Sequence, residues 1–295
     1  MKSIENQVKI LGIALLLLSM ATMMMWPDFQ WVVFILVMLF VGIPHGAIDH
    51  LTSDPAINPK SLSVFLVKHI ALIGLYLLFW WIFPIFSLAA FILMSAFHFG
   101  QTHFIRRADG KLIHQILFVS RGMFFLSVIL LGDFEFTQEI LAAVIDILSL
   151  ATIQPYLITG FFVVTILMQY IAKVKFNKND LIDLLLLPIA LYFSPLMLSF
   201  VIYFGFWHAF PSMVEEYNFL KKYPQFASLK KFGVQLIPFT LLSLIGISLI
   251  LFFAQRNLSP EEVILMFFVL ISVISFPHIL YMDRFLKSQA NTDQN

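Results

Sequence analysis

Residues 30–50 read Gln30-Trp31-Val32-Val33-Phe34-Ile35-Leu36-Val37-Met38-Leu39-Phe40-Val41-Gly42-Ile43-Pro44-His45-Gly46-Ala47-Ile48-Asp49-His50. No Asp, Glu, Lys or Arg occurs before Asp49, and the apolar run over 30–48 has the roughly 20-residue length that a helix needs to cross a bilayer's hydrocarbon. The run then ends on two histidines and an aspartate. Ionisable groups are costly in a membrane, usually face a bundle interior, and mark function by default.

Working outward, runs of similar length fall at roughly 8–26, 62–84, 86–105, 112–132, 154–172, 180–193, 195–213, 234–254 and 261–281. The stretch at 180–193 is short for a crossing. The segment 138–151 carries Glu139 and Asp146 and is shorter still, so it reads as an interfacial or re-entrant helix. Composition agrees: 60% of the 295 residues are hydrophobic and 12% charged, with a mean hydropathy of +0.92, where soluble domains have about 25% charged residues. The expected fold is an all-α polytopic membrane protein, a bundle of about 8–10 transmembrane helices forming one domain over 1–295. Residues 8–26 follow Lys2 and Lys9 as a signal peptide would, but end in Met23-Met24-Met25-Trp26-Pro27 without a small-residue cleavage site, so they read as the first helix.

The 18 Lys and Arg balance 17 Asp and Glu, leaving no broad basic face for nucleic acid. With no Cys, a disulfide framework, a thiolate metal site and a cysteine nucleophile are all excluded, so any metal must be held by His and carboxylates. Lys and Arg are retained on the cytoplasmic side. With the N-terminus inside, the basic residues, including Arg106, Arg107, Lys221, Lys222, Lys230 and Lys231, fall in cytoplasmic segments, and Arg256 alone lies in an outside loop. The expected location is an integral, multi-pass cell (inner) membrane protein with cytoplasmic N- and C-termini. Arg121 lies inside a span, where it needs a partner.

This topology brings the eight histidines, from six helices, into or near the cytoplasmic half of the membrane. Imidazole is a ligand that suits iron, zinc or copper. Local sequence sharpens the choice: His45 and His50 flank Gly46 and follow Pro44; Phe97-His98-Phe99-Gly100-Gln101-Thr102-His103 repeats the His-x4-His spacing; Trp207-His208-Ala209-Phe210-Pro211-Ser212 and Phe276-Pro277-His278 each place a His near a Pro. Five residues of ideal helix rotate a side chain by about 500°, leaving the two members of each His-x4-His pair about 140° apart. Either glycine breaks the helix, or one His ligates and the other supports it. Asp49, four residues from His45, shares its face and is suited to accept the N–H of a ligand histidine. His69 and His114 have no such context and read as ordinary interface histidines.

In these residues the chain resembles the Brp/Blh family of membrane β-carotene 15,15′-dioxygenases. The likeness rests on Gly42 to His50, on Phe97-His98-Phe99-Gly100 and on the aromatic-flanked His208, and length, hydropathy and motif order follow the family over essentially the whole chain. The resemblance implies a polytopic enzyme using non-haem Fe(II) and O2 to split β-carotene into two retinal molecules, commonly beside a microbial rhodopsin as a functional associate. It implies His45, His98 and His208 as metal ligands. Ser212 stands where the family pattern has a second histidine, four residues after the third. His278 is expected to supply the fourth ligand, with His50 and His103 as alternatives. β-Carotene would enter laterally from membrane lipid.

Two other readings were weighed. A di-iron membrane hydroxylase or desaturase uses about eight ligand histidines and a His-x-x-His-His box, and this sequence has no such box. A metal transporter would spread ligands through both leaflets with an intramembrane carboxylate chain for coupling, whereas these histidines cluster near one leaflet.

Overall fold

The computed structural model describes residues 2–105 and 109–292; Arg106 and Arg107 lie outside the described residues. Among the described residues the protein is helical throughout, and nine helices are long and apolar enough to cross a membrane: α1 (Ile4–Met23), α2 (Phe29–Ser53), α3 (Pro59–Ile82), α4 (Pro84–His103), α5 (Leu112–Gly132), α6 (Gln154–Ile171), α7 (Leu196–Leu220), α8 (Leu229–Ala254) and α9 (Pro260–Ala290). The protein is thus an all-α polytopic membrane protein. Its outward faces agree: Trp81 is 83% exposed, and Val67, Ile70, Leu242 and Phe253 are exposed too, a surface that fits lipid contact and would be a liability in water.

Helix starts are written in local chemistry. The Asn58 side chain accepts from the Lys60 N–H at 2.9 Å and Pro59 opens α3. Ser259 and Glu262 cap α9 reciprocally, at 2.8 and 3.2 Å, around Pro260, the arrangement that satisfies two otherwise orphaned N–H groups.

Two expectations change. The run at 180–193 forms only the short helix Ile182–Tyr192. The segment 138–151 is not one helix: a helix spans Phe134–Leu141, and the chain beyond it is irregular except for one 3-10 turn at Leu148–Leu150. The Gln138 side chain ties that irregular part down, donating to Asp146 at 3.1 Å and accepting from the Ile147 N–H at 2.7 Å. The helix α7 runs on to Leu220 and so carries Glu215 and Glu216.

Two compact units form. One comprises Met1–Met38 with Ile92–Pro211, the other Leu39–Phe91 with Ser212–Asn295. In the first, α5 is largely buried and packs chiefly on α6. Gly122 and Gly100 allow the main chains of α4 and α5 to touch: a Cβ on Gly122 would meet the Ala96 backbone, and one on Gly100 that of Phe118. These contacts lie two residues before and two after His98 and fix its height on α4. Arg121, inside α5, donates to the Gln169 side chain and lies 5.0 Å over the Phe104 ring. The span's cation has its partner.

In the second unit, Ile48, Leu51, Leu220, Phe226, Phe232 and Leu236 make one core cluster. Here α3 and α9 are tied by Trp80 Nε1 donating to Ser272 Oγ at 2.9 Å. The chain passes from unit to unit at 38/39, 91/92 and 211/212, each time inside a helical segment. His45 and His98 lie seven residues past a crossing and His208 three before one.

Candidate metal centre

Three short stretches depart from α to π geometry: Met38–Gly42, Ile182–Leu186 and Tyr203–Ala209. Such wider turns re-aim side chains and frequently occur at functional positions. The first leads into His45, the second carries Asp183, and the third carries His208.

In the second unit, His45 and His278 are both buried, and their Nε2 atoms face each other at 3.0 Å. Each ring turns its other nitrogen to a carboxylate. His278 Nδ1 lies 2.8 Å from Asp49 Oδ1, a hydrogen bond, and His45 Nδ1 lies 3.6 Å from Glu216 Oε2, an electrostatic separation rather than a hydrogen bond. A carboxylate beside Nδ1 favours the tautomer that carries its proton there. The two Nε2 atoms then stand at a distance that one shared proton or one shared cation can bridge. Two imidazole nitrogens each about 2.1 Å from one ion and at right angles to each other stand about 3.0 Å apart, so these residues fit a metal. The α2 sequence sets this up: the helix breaks at Ala47 and Ile48 after Pro44-His45-Gly46, and Asp49 follows on the next turn. Asp49 thus serves His278, not His45 whose face it was expected to share.

His50 has a different environment. Its ring packs 4.3 Å from Phe239 and 6.3 Å from Phe65, beside a cavity of about 180 Å³ also lined by Ser61, Lys68, Tyr281 and Arg284.

In the first unit, His98 and His208 are buried with ring centroids 4.4 Å apart, edge to face. Thr102, one turn past His98, hydrogen-bonds His208 Nδ1 at 2.7 Å, and its hydroxyl also lies 3.5 Å from the His98 carbonyl. With the hydroxyl proton on that carbonyl, the oxygen would accept from Nδ1–H. Phe99 and Phe204 pack against the His208 ring, at 4.6 and 5.6 Å. Gly100 does not break α4, so His103 points elsewhere: it stacks on Phe125 at 5.1 Å, its Nε2 is 3.1 Å from the Tyr203 hydroxyl, and its Nδ1 is 3.9 Å from Asp183. Asp183 also holds Lys9 Nζ at 2.7 Å and accepts from Trp207 Nε1 at 2.9 Å, bracing the π segment next to His208.

Ser212 is buried, in the place of the expected family histidine. His114 pairs with Asp109 at 2.7 Å and His69 stacks on Tyr281 at 6.1 Å. Glu216, Thr102 and Asp183 were not foreseen. For Asp183 a signal existed, an acidic residue inside an apolar run.

Fold and buried polar groups together define a class: a multi-pass helical membrane protein whose buried imidazoles His45, His98 and His208 could bind a metal. The model of the beta-carotene 15,15′-dioxygenase family matches residues 35–285, and the chain belongs to that family of enzymes. A relative named beta-carotene 15,15′-dioxygenase, from uncultured marine bacterium 66A03, is 25% identical over 254 residues, covering 83% of this chain and 90% of its own. No solved structure matches.

Proposed function

We propose that the chain cleaves β-carotene at its 15,15′ double bond with O2, giving two molecules of retinal, at one iron(II) held by His45, His98, His208 and His278. The observation that carries this reading is the buried set His45, His98 and His208, whose ring nitrogens could hold one metal ion; His278 joins it through its Nε2, 3.0 Å from that of His45. The His98–His208 pair offers the second half of the ligand set. Support for bringing the pairs together comes from the chain path: His45, His98 and His208 each lie within seven residues of a crossing between the units. On this reading 1–295 works as a single domain.

Iron(II) would supply the activation of O2 that no side chain here provides. Splitting one carbon–carbon double bond with one O2 yields two aldehydes, so the reaction balances without an external reductant. The protein's part is to hold the ligand rings in one tautomer, to exclude water with the aromatic packing of Phe99 and Phe204, and to align the central bond of a substrate entering laterally from lipid. Retinal release into the bilayer suits association with a microbial rhodopsin.

The site lies near the cytoplasmic leaflet of the cell membrane, by the distribution of Lys and Arg. Cytoplasmic N- and C-termini need an even number of passages, and nine long helices are found among the described residues; reporter fusions to both termini test this.

Expression in a β-carotene-producing bacterial strain, with extraction of retinal and metal analysis of the purified protein, tests the function. Retinal with stoichiometric iron is expected. Absence of retinal, or apocarotenoids of unequal length, overturns the reading.

A further inference from the structure

Glu216 is fully buried on α7, four residues beyond Ser212 on the same helix, while its neighbour Glu215 is half-buried. A carboxylate in such a place is expensive unless a positive partner meets it. What meets it is an imidazole: Glu216 Oε2 lies 3.6 Å from His45 Nδ1. Across the pair, Asp49 Oδ1 approaches His278 Nδ1 more closely, at 2.8 Å, as a hydrogen bond. The four groups follow in the order carboxylate, imidazole, imidazole, carboxylate across the 3.0 Å gap between the two Nε2 atoms.

We propose that Glu216 is a positioning residue that orients His45 toward the metal as Asp49 orients His278, and that the two carboxylates together match the double charge of the bound cation. This rests on the reading of His45 and His278 as iron ligands. The physical argument is twofold. An acceptor at Nδ1 fixes the tautomer and ring angle and makes Nε2 a better donor to the ion, the role that carboxylates beside ligand histidines commonly have. A divalent cation held only by neutral imidazoles also leaves two positive charges in a medium that screens poorly. Asp49 and Glu216 place two negative charges one ring away, which favours a divalent ion over a monovalent or trivalent one. Ser212 contributes no charge, so the compensation lies with these two carboxylates rather than with the ligands.

The test uses the full-length protein in detergent, stripped of metal and titrated with Co(II) against a chromophoric chelator, reading both affinity and the visible cobalt spectrum. Glu216→Gln should weaken Co(II) binding by about 10- to 100-fold, the range for lost supporting groups of this kind, and shift the spectrum. Glu216→Asp should recover part of the affinity, and Glu215→Gln should bind as wild type. Wild-type affinity and spectrum in Glu216→Gln, or an equal loss in Glu215→Gln, overturns the proposal. Should Glu216→Gln fail to fold, nitrogen-15 spectra of the Zn(II)-loaded wild type decide: His45 protonated at Nδ1 and metal-bound at Nε2 is expected, and metal at Nδ1 overturns it. A wild type that takes up neither Co(II) nor Fe(II) refutes the iron reading itself, whereas metal uptake indifferent to residue 216 refutes only this inference.

Discussion

Each unit buries one pair of facing histidines, but by different means. In the second unit His45 and His278 face carboxylates, Glu216 and Asp49; in the first, His208 is held by the neutral hydroxyl of Thr102 and by the rings of Phe99 and Phe204. Both arrangements set a polar oxygen beside Nδ1, yet only one brings negative charge. The comparison separates two demands on a buried metal site. Ring orientation needs only a hydrogen-bond acceptor, which a threonine supplies at small cost in desolvation. Charge compensation needs ions, and these are confined to one unit.

Substitutions can break this comparison, and the largest effects should come from the ligands. His45→Ala, His98→Ala, His208→Ala and His278→Ala should each lose bound iron and retinal formation while the protein still reaches the membrane, because one lost imidazole removes the geometry the ion needs. Iron content per purified protein checks this, and normal iron in any of them removes that residue from the ligand set. Asp49→Asn comes next: it keeps the shape but loses the charge, and metal affinity should fall by about 10- to 100-fold.

Thr102→Val sharpens the contrast. It removes a neutral hydrogen bond of about 1 kcal/mol, roughly a factor of five in affinity, so its loss should be well below that of Asp49→Asn. An equal loss would refute the division of labour between the units. His69→Ala and His114→Ala should keep most of the activity, and behaviour like the four ligands would point to a larger metal cluster.

The smallest effect lies outside the membrane spans, at Asp109. Burial alone would raise its carboxyl, but hydrogen bonds from His114 and Lys111 outweigh it and hold the group at about 2, below its ordinary 3.8. A depressed carboxyl stabilises the fold fully above the ordinary value and loses that contribution as pH falls toward about 2. Thermal unfolding of Asp109→Asn should therefore match wild type in its acid limb at pH 2 and fall below it from pH 4 upward, with cleavage unchanged. A constant difference across that range would refute it.

Much of this was legible in the sequence. The long apolar runs gave the fold class, and Pro44-His45-Gly46 and Phe97-His98-Phe99 announced buried chemistry because imidazole beside helix-ending residues has few other uses in lipid. The helical angle between His98 and His103 left two readings open, and the unbroken α4 removes the one in which Gly100 breaks the helix. What failed to show was Glu216. Two adjacent glutamates followed by lysines look like a solvated loop, and composition cannot say that α7 continues or which glutamate turns inward. The π segment Tyr203–Ala209 compounds the difficulty, since a 3.6-residue period counted from Leu196 loses phase before residue 216. The role of Gly100 stayed open in the sequence because its close approach to the Phe118 backbone involves a residue 18 positions away.

That π segment has a hereditary side. A π turn is an α-helix with one residue inserted and never removed, its surplus stored as a bulge. Deleting a single residue between Tyr203 and Trp207 would return regular helix and swing every later side chain on α7, Ser212 and Glu216 included, by about 100°. In most helices a substitution is the mild lesion and the loss of a residue the gross one only near the ends; in α7 the reading frame of the helix is itself a functional parameter. Alignments that forbid gaps inside this span would pair the wrong faces of related chains.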